Sequence, residues 1–211
     1  NIFDELSGEW WKETGNFEAL HLFNPVRIKF ILDLLEKPIK TLKILDVGCG
    51  GGILCEPLAR LGAEVTGIDE NKKAILVAKT HAKNMNLKIN YIHGNITDIK
   101  FQKKFDVITC MEVLEHVQSI DLIIKESKES LKSGGFFLGS TINQTITSYL
   151  TAIFFAENIL KIVPKNTHEW SKFIRPNKLK KTLLKHEFSN IRFQGILYNF
   201  FLKKWNYINT E

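Results

Sequence analysis

Asp46-Val47-Gly48-Cys49-Gly50-Gly51-Gly52 follows a short apolar run and leads into a helical pattern. Glycines at such a junction let the chain turn sharply, and let a ligand approach the backbone with no Cβ in the way. Asp69 ends the next apolar run, 21 residues beyond Gly48. There a carboxylate can accept hydrogen bonds from two ribose hydroxyls. The turn, its context and the spaced acid together point to a nucleotide-like ligand. A second constellation, Glu112, Glu115 and His116, follows the run Phe105–Thr109. In a helical turn these three share one face. Two carboxylates and an imidazole can hold a divalent cation, or let His116 act as a base tuned by its neighbours. Equally, they can be acids placed favourably in a first helical turn. Arg27 falls in the first turn of a helix that Asn24-Pro25 opens, and its fork can pair with a ligand carboxylate.

These groups need a scaffold that brings them to one edge. Strands are expected at 43–47, 64–69, 89–92, 105–109 and 135–141, with helical patterns at about 53–61, 71–85 and 119–131. Alternation of this kind implies a parallel sheet with helices on both faces, binding ligands where the strand order reverses. The helix from Asn24-Pro25 to about Leu35 forms an N-terminal cap over 1–36, and 147–187 reads as a helical insertion after the fifth strand. The whole chain, 1–211, is read as a single domain.

Composition narrows the classes. The 211 residues are 44% hydrophobic and 25% charged, as in soluble globular proteins. Three cysteines without CxxC spacing argue against a disulfide framework or a structural zinc site. No run of 18 apolar residues is present, so a spanning helix is not expected. The absence of an initial Met suggests a sequence trimmed from something longer. Net charge is +6, and residues 148–187 contribute most of it, with eight basic residues against three acidic ones. Tyr149, Ala152, Ile153, Ala156, Leu160 and Val163 fall at helical spacing there, and Phe154 and Phe155 widen the apolar surface. Such a segment can lie in the headgroup region of an anionic membrane, or close over the sheet as a lid with solvated lysines.

A third dinucleotide-fingerprint glycine would stand at position 53, which is Ile53, and no GK[ST] follows. This weakens the alternative of a nicotinamide-dependent oxidoreductase and excludes a P-loop. D-x-G-x-G-x-G instead resembles motif I of class I S-adenosylmethionine-dependent methyltransferases, and Gly94-Asn95-Ile96-Thr97-Asp98 is similar to their adenine-side loop. Further strings narrow the resemblance to the ubiquinone-biosynthesis O-methyltransferases. They are Trp10-Trp11, Leu20-His21, Asn24-Pro25-x-Arg27, TCMEVLEHV at 109–117, Ser140-Thr-Ile-Asn143, and the stretch from Ala156 to Pro176 with His168-x-Trp170.

The resemblance spans about residues 3–200. It implies a Rossmann-like fold with a mostly parallel seven-stranded sheet, and methylation of catechol-type hydroxyls on polyprenylated phenol or quinol intermediates, at both O-methylation steps. It assigns Arg27, Gly48, Gly50, Asp69, Asn95, Ile96 and Met111 to S-adenosylmethionine, although Asn95 stands where Asp is frequent. By the same route Glu112, Glu115 and His116 become Mg²⁺ ligands around the catalytic step. An isoprenoid substrate stays in lipid, so Tyr149, Phe154, Phe155, Lys161, Lys165 and His168 are expected on the membrane or substrate side. Peripheral association with the inner face of the cytoplasmic membrane through anionic lipid follows, with other enzymes of the pathway as further partners. Nucleic-acid targets are not expected: no DPPY- or NPPY-like tetrapeptide follows the fourth strand, and no RNA-stacking motif appears. The tail after Asn199 departs from the family's longer ending.

Overall fold

A computed structural model describes residues 7–35, 37–141, 174–199 and 204–208. β1 (Lys43–Val47), β2 (Glu64–Asp69), β3 (Asn90–His93), β4 (Phe105–Met111) and β5 (Leu131–Ser140) form one sheet in the order β3-β2-β1-β4-β5. Every pairing in it is parallel. The chain runs outward from β1 to β3 and then returns to the other side of β1. The order therefore reverses between β1 and β4, and a crevice opens beyond their carboxyl ends.

Alternate side chains of the sheet feed two apolar layers. Ile44, Val65 and Val107 join Leu58, Ile75 and Ala78 of the helices on one face. Leu45, Ile68 and Ile108 join Ile123, Ile124, Leu179 and Leu183 on the other. Continuous apolar strands are what a sheet covered on both sides requires. The helices are α1 (Glu18–Leu34), α2 (Cys55–Arg60), α3 (Lys72–Asn84), α4 (Ile120–Ser130) and α5 (Pro176–Lys185). Side chains open two of them. Asn71 Oδ1 accepts from the N–H groups of Lys73 and Ala74, and Ser119 accepts from Leu122. α5, the described end of the 147–187 insertion, buries Leu179 and Leu183 while Lys178, Lys180, Lys181 and Lys185 stay exposed.

Two expectations are corrected. α1 begins at Glu18, so Asn24 is no N-cap and Pro25 lies inside the helix. Asn24 is instead buried, and its Nδ2 donates to the Ile53 carbonyl at 2.8 Å. That long-range bond explains the Asn-Pro pair better than capping does. Nor do the described strands make one seven-stranded sheet. β6 (Gly195–Asn199) and β7 (Lys204–Ile208) pair antiparallel as a separate two-stranded hairpin.

Candidate active site at the β1–β4 crevice

The glycine turn after β1 is fixed from below and from the side. Gly48 has φ +71, and its N–H donates to the Ile68 carbonyl at 2.8 Å. A Cβ there would enter the Val113 side chain. Gly50 has φ +52, and its N–H donates to Asp69 Oδ2 at 2.8 Å. Asp69 Oδ1 accepts from the Asn71 N–H at 2.7 Å. Each carboxylate oxygen keeps a lone pair for a further donor. Burial raises the Asp69 pKa, and the two backbone donors oppose it.

Beneath the turn lies Asp46, fully enclosed. Thr109 Oγ1 donates to it at 2.6 Å and the Cys55 thiol at 3.3 Å. Burial pushes its carboxyl up to about 6, against these hydrogen bonds and the Arg27 charge. Arg27 is 7% exposed and lies 4.7 Å over the Phe23 ring. Its Nη2 is 3.9 Å from Glu112 Oε1, beyond hydrogen-bond reach, and neither Nε nor Nη2 has a hydrogen-bond partner among the described residues. A buried guanidinium with idle donors is costly unless an anion completes it.

The strand-4 exit differs from the helical turn the spacing suggests. Residues 112–118 form an irregular turn, and α4 starts only at Ile120. Glu112 sits at φ +56, a left-handed conformation unusual outside glycine. There its Oε1 accepts from Ser140 Oγ at 2.6 Å, and its N–H lies 3.2 Å from the same hydroxyl. Glu115 is buried, and burial together with the Glu112 charge raises its pKa well above the carboxylate range. His116 is exposed on the same turn. The Glu112 and Glu115 carboxyls lie close enough to interact directly, with Thr141 also beside the buried Glu115, while His116 is exposed on the same turn. Among the described residues no three His, Cys, Asp or Glu side chains gather as metal ligands. A carboxyl pair is present but no third ligand gathers with it, so the expected Mg²⁺ set of Glu112, Glu115 and His116 is not assembled here.

Of the remaining expected contacts, Met111 is half-buried at the end of β4. Asn95 follows β3, accepts from the Thr97 N–H at 3.0 Å and donates to Glu70. Ile96 is 1% exposed and its side chain belongs to the core. Tyr149, Phe154, Phe155, Lys161, Lys165 and His168 lie outside the described residues. The sequence reading missed Thr109 and Cys55 as supports of Asp46, and Ser140 as the partner of Glu112. An inward β-branched hydroxyl at a strand's carboxyl end is the signal that could have found Thr109.

Comparison with known proteins gives the family and the fold. Residues 45–139 match the family model described as a methyltransferase domain. A ubiquinone biosynthesis O-methyltransferase of Pelagibacter ubique is 44% identical over 98% of this chain and 90% of its own length. One from Bartonella quintana is 42% identical over 97% of this chain and 87% of its own. Among solved structures, magnesium protoporphyrin IX methyltransferase from Synechocystis with bound S-adenosylhomocysteine superposes with a TM-score of 0.70 at 20% identity. That match covers 92% of this chain and 87% of the other, and shows the shared fold.

Proposed function

The chain belongs to the ubiquinone biosynthesis O-methyltransferase family, and from that premise we propose how its own residues carry out S-adenosylmethionine-dependent O-methylation. One observation carries the assignment of the crevice. Arg27 is a buried cation with unpartnered donors at the strand-order reversal, where the methionyl carboxylate of a bound cofactor would complete it. Asp69, aligned by Gly50 and Asn71, takes the ribose hydroxyls, and Gly48, in a left-handed bend packed on Val113, shapes the turn on which the ligand lies. Asn95, Ile96 and Met111 stand around the adenine, with Ile96 setting the floor of its loop from the core.

When bound, the cofactor supplies an electrophilic methyl on a sulfonium that leaves as a neutral thioether. The residues around it hold the acceptor oxygen in line with that methyl, and this orientation supplies much of the catalysis. A catechol hydroxyl must also lose its proton as the O–CH₃ bond forms. His116, exposed at the strand-4 exit, is the group we assign to receive it, and Glu112, anchored by Ser140, orients the acceptor. The acceptors are catechol-type hydroxyls of polyprenylated phenols or quinols, at both O-methylation steps of the pathway. Their isoprenoid tails remain in lipid. Among the described residues no helix is long and apolar enough to cross a membrane, and the lysine-rich outer face of α5 supports docking on anionic headgroups at the inner face of the cytoplasmic membrane.

Calorimetry with S-adenosylhomocysteine tests the crevice. Arg27→Met is expected to weaken binding by at least about a hundredfold, the loss of two charge-assisted hydrogen bonds. Unchanged affinity overturns the assignment. His116→Ala is expected to lower kcat with that affinity intact, and a wild-type rate removes His116 as the base. Flotation with phosphatidylglycerol vesicles tests docking: absence of binding at low salt refutes it.

A further inference from the structure

Beside the crevice, a second cluster joins residues that methyl transfer does not use. Glu56 on α2 is 1% exposed. Its Oε1 accepts from His81 Nδ1 at 2.6 Å, and its Oε2 lies 3.3 Å from Arg60 Nη2. His81, on α3, is the plate on which Trp11 stacks, with ring centroids 3.6 Å apart and planes 6° from parallel. Trp11 Nε1–H then donates to the Gly51 carbonyl at 3.0 Å. Trp10 covers the same turn, so that a Cβ on Gly51 would lie 2.6 Å from the Trp10 Cβ. Trp10 in turn stacks on Phe17 at 4.2 Å, and its carbonyl accepts from His21 Nε2 at 2.8 Å.

Three consecutive glycines have more backbone freedom to lose than any other triplet. Gly50-Gly51-Gly52 must nevertheless be ordered before a ligand arrives, because the Gly50 N–H aligns Asp69. We propose that Trp11 is a positioning residue for the cofactor, acting through this turn. Glu56 fixes His81, His81 fixes the indole, and the indole holds the Gly51 carbonyl so that Gly50 keeps its bond to Asp69. The N-terminal segment is thereby part of the cofactor site without touching the ligand, and it lowers the ordering cost of binding. The inference rests on Asp69 being the ribose acceptor.

Calorimetry with S-adenosylhomocysteine, together with steady-state kinetics on a soluble short-chain catechol, tests it. Trp11→Phe keeps a ring on His81 and loses only the N–H donor. It is expected to raise the dissociation constant and the KM for S-adenosylmethionine roughly fivefold, with kcat within about twofold of wild type. Trp11→Ala is expected to cost more, and adding His81→Ala to it should cost nothing further, because the pair acts as one unit. Wild-type affinity in Trp11→Phe, a fall in kcat at constant KM, or additive losses in the double variant each overturn the proposal. Asp69→Ala separates the two levels. If it also binds normally, the reading of the cofactor site fails. If it loses binding while Trp11→Phe does not, only the positioning role fails.

Discussion

Arg27 and Glu56 are both buried charges on helices near the glycine turn, yet their surroundings are opposite. Glu56 has a partner for each carboxylate oxygen, His81 on one side and Arg60 on the other. Arg27 has carboxylates around it, Glu112 nearest at 3.9 Å, but two of its nitrogens make no hydrogen bond among the described residues. On the proposed reading, the completed network holds the turn and the incomplete one awaits a ligand's charge.

This contrast breaks first, and most visibly, at Asp46. Its carboxyl is raised by burial from the usual 3.8 to about 6, so the folded protein binds that proton more tightly than the unfolded chain. The ligand-free protein should lose stability as pH rises from about 4 to about 6, by roughly 3 kcal/mol from this group. Asp46→Asn should flatten that slope. Denaturant titrations at intervals across the window decide it, and a variant with the wild-type slope would show that the crevice carries no such strain.

Exchanging each buried charge for methionine is the next comparison. Glu56→Met leaves the His81 Nδ1–H without its buried acceptor and is expected to cost about 2 kcal/mol of folding stability. Arg27→Met should change stability by less than about 1 kcal/mol, since the guanidinium is poorly satisfied before a ligand binds. Thermal melts of both would erase the distinction if Arg27→Met proved the more damaging.

The smallest effect belongs to Thr109→Val, which removes the 2.6 Å bond to Asp46 while keeping the side-chain shape. A loss of about 1 kcal/mol is expected at pH 7, shrinking toward pH 4 as Asp46 becomes protonated. An equal loss at both values would mean that packing, not the charge, is what Thr109 serves.

Strands β1 and β2 are legible to the residue because short, mostly apolar runs end at the glycine turn and at Asp69. The glycine turn and Asp69 are legible because spacing alone ties them to a strand and a helix. What the sequence hides is pairing across distance. Asn24 reads as a cap until its side chain is seen to reach Ile53. Glu112, Glu115 and His116 read as one helical face until the left-handed φ of Glu112 turns that carboxylate toward Ser140. Trp10-Trp11 is legible as a family string, but its link to His81 and Glu56 carries no local pattern, since only tertiary packing brings the three together.

The left-handed backbone of Glu112 carries a cost for anyone who would harden this protein. Laboratory selection for heat resistance would readily find glycine there, because it relaxes a backbone that glutamate holds under strain at about 1 kcal/mol. The same change removes the carboxylate that Ser140 anchors at the mouth of the crevice. If Glu112 orients the acceptor as proposed, screening for survival alone would reward sturdier and idle descendants, so residue 112 should be held constant in any such campaign.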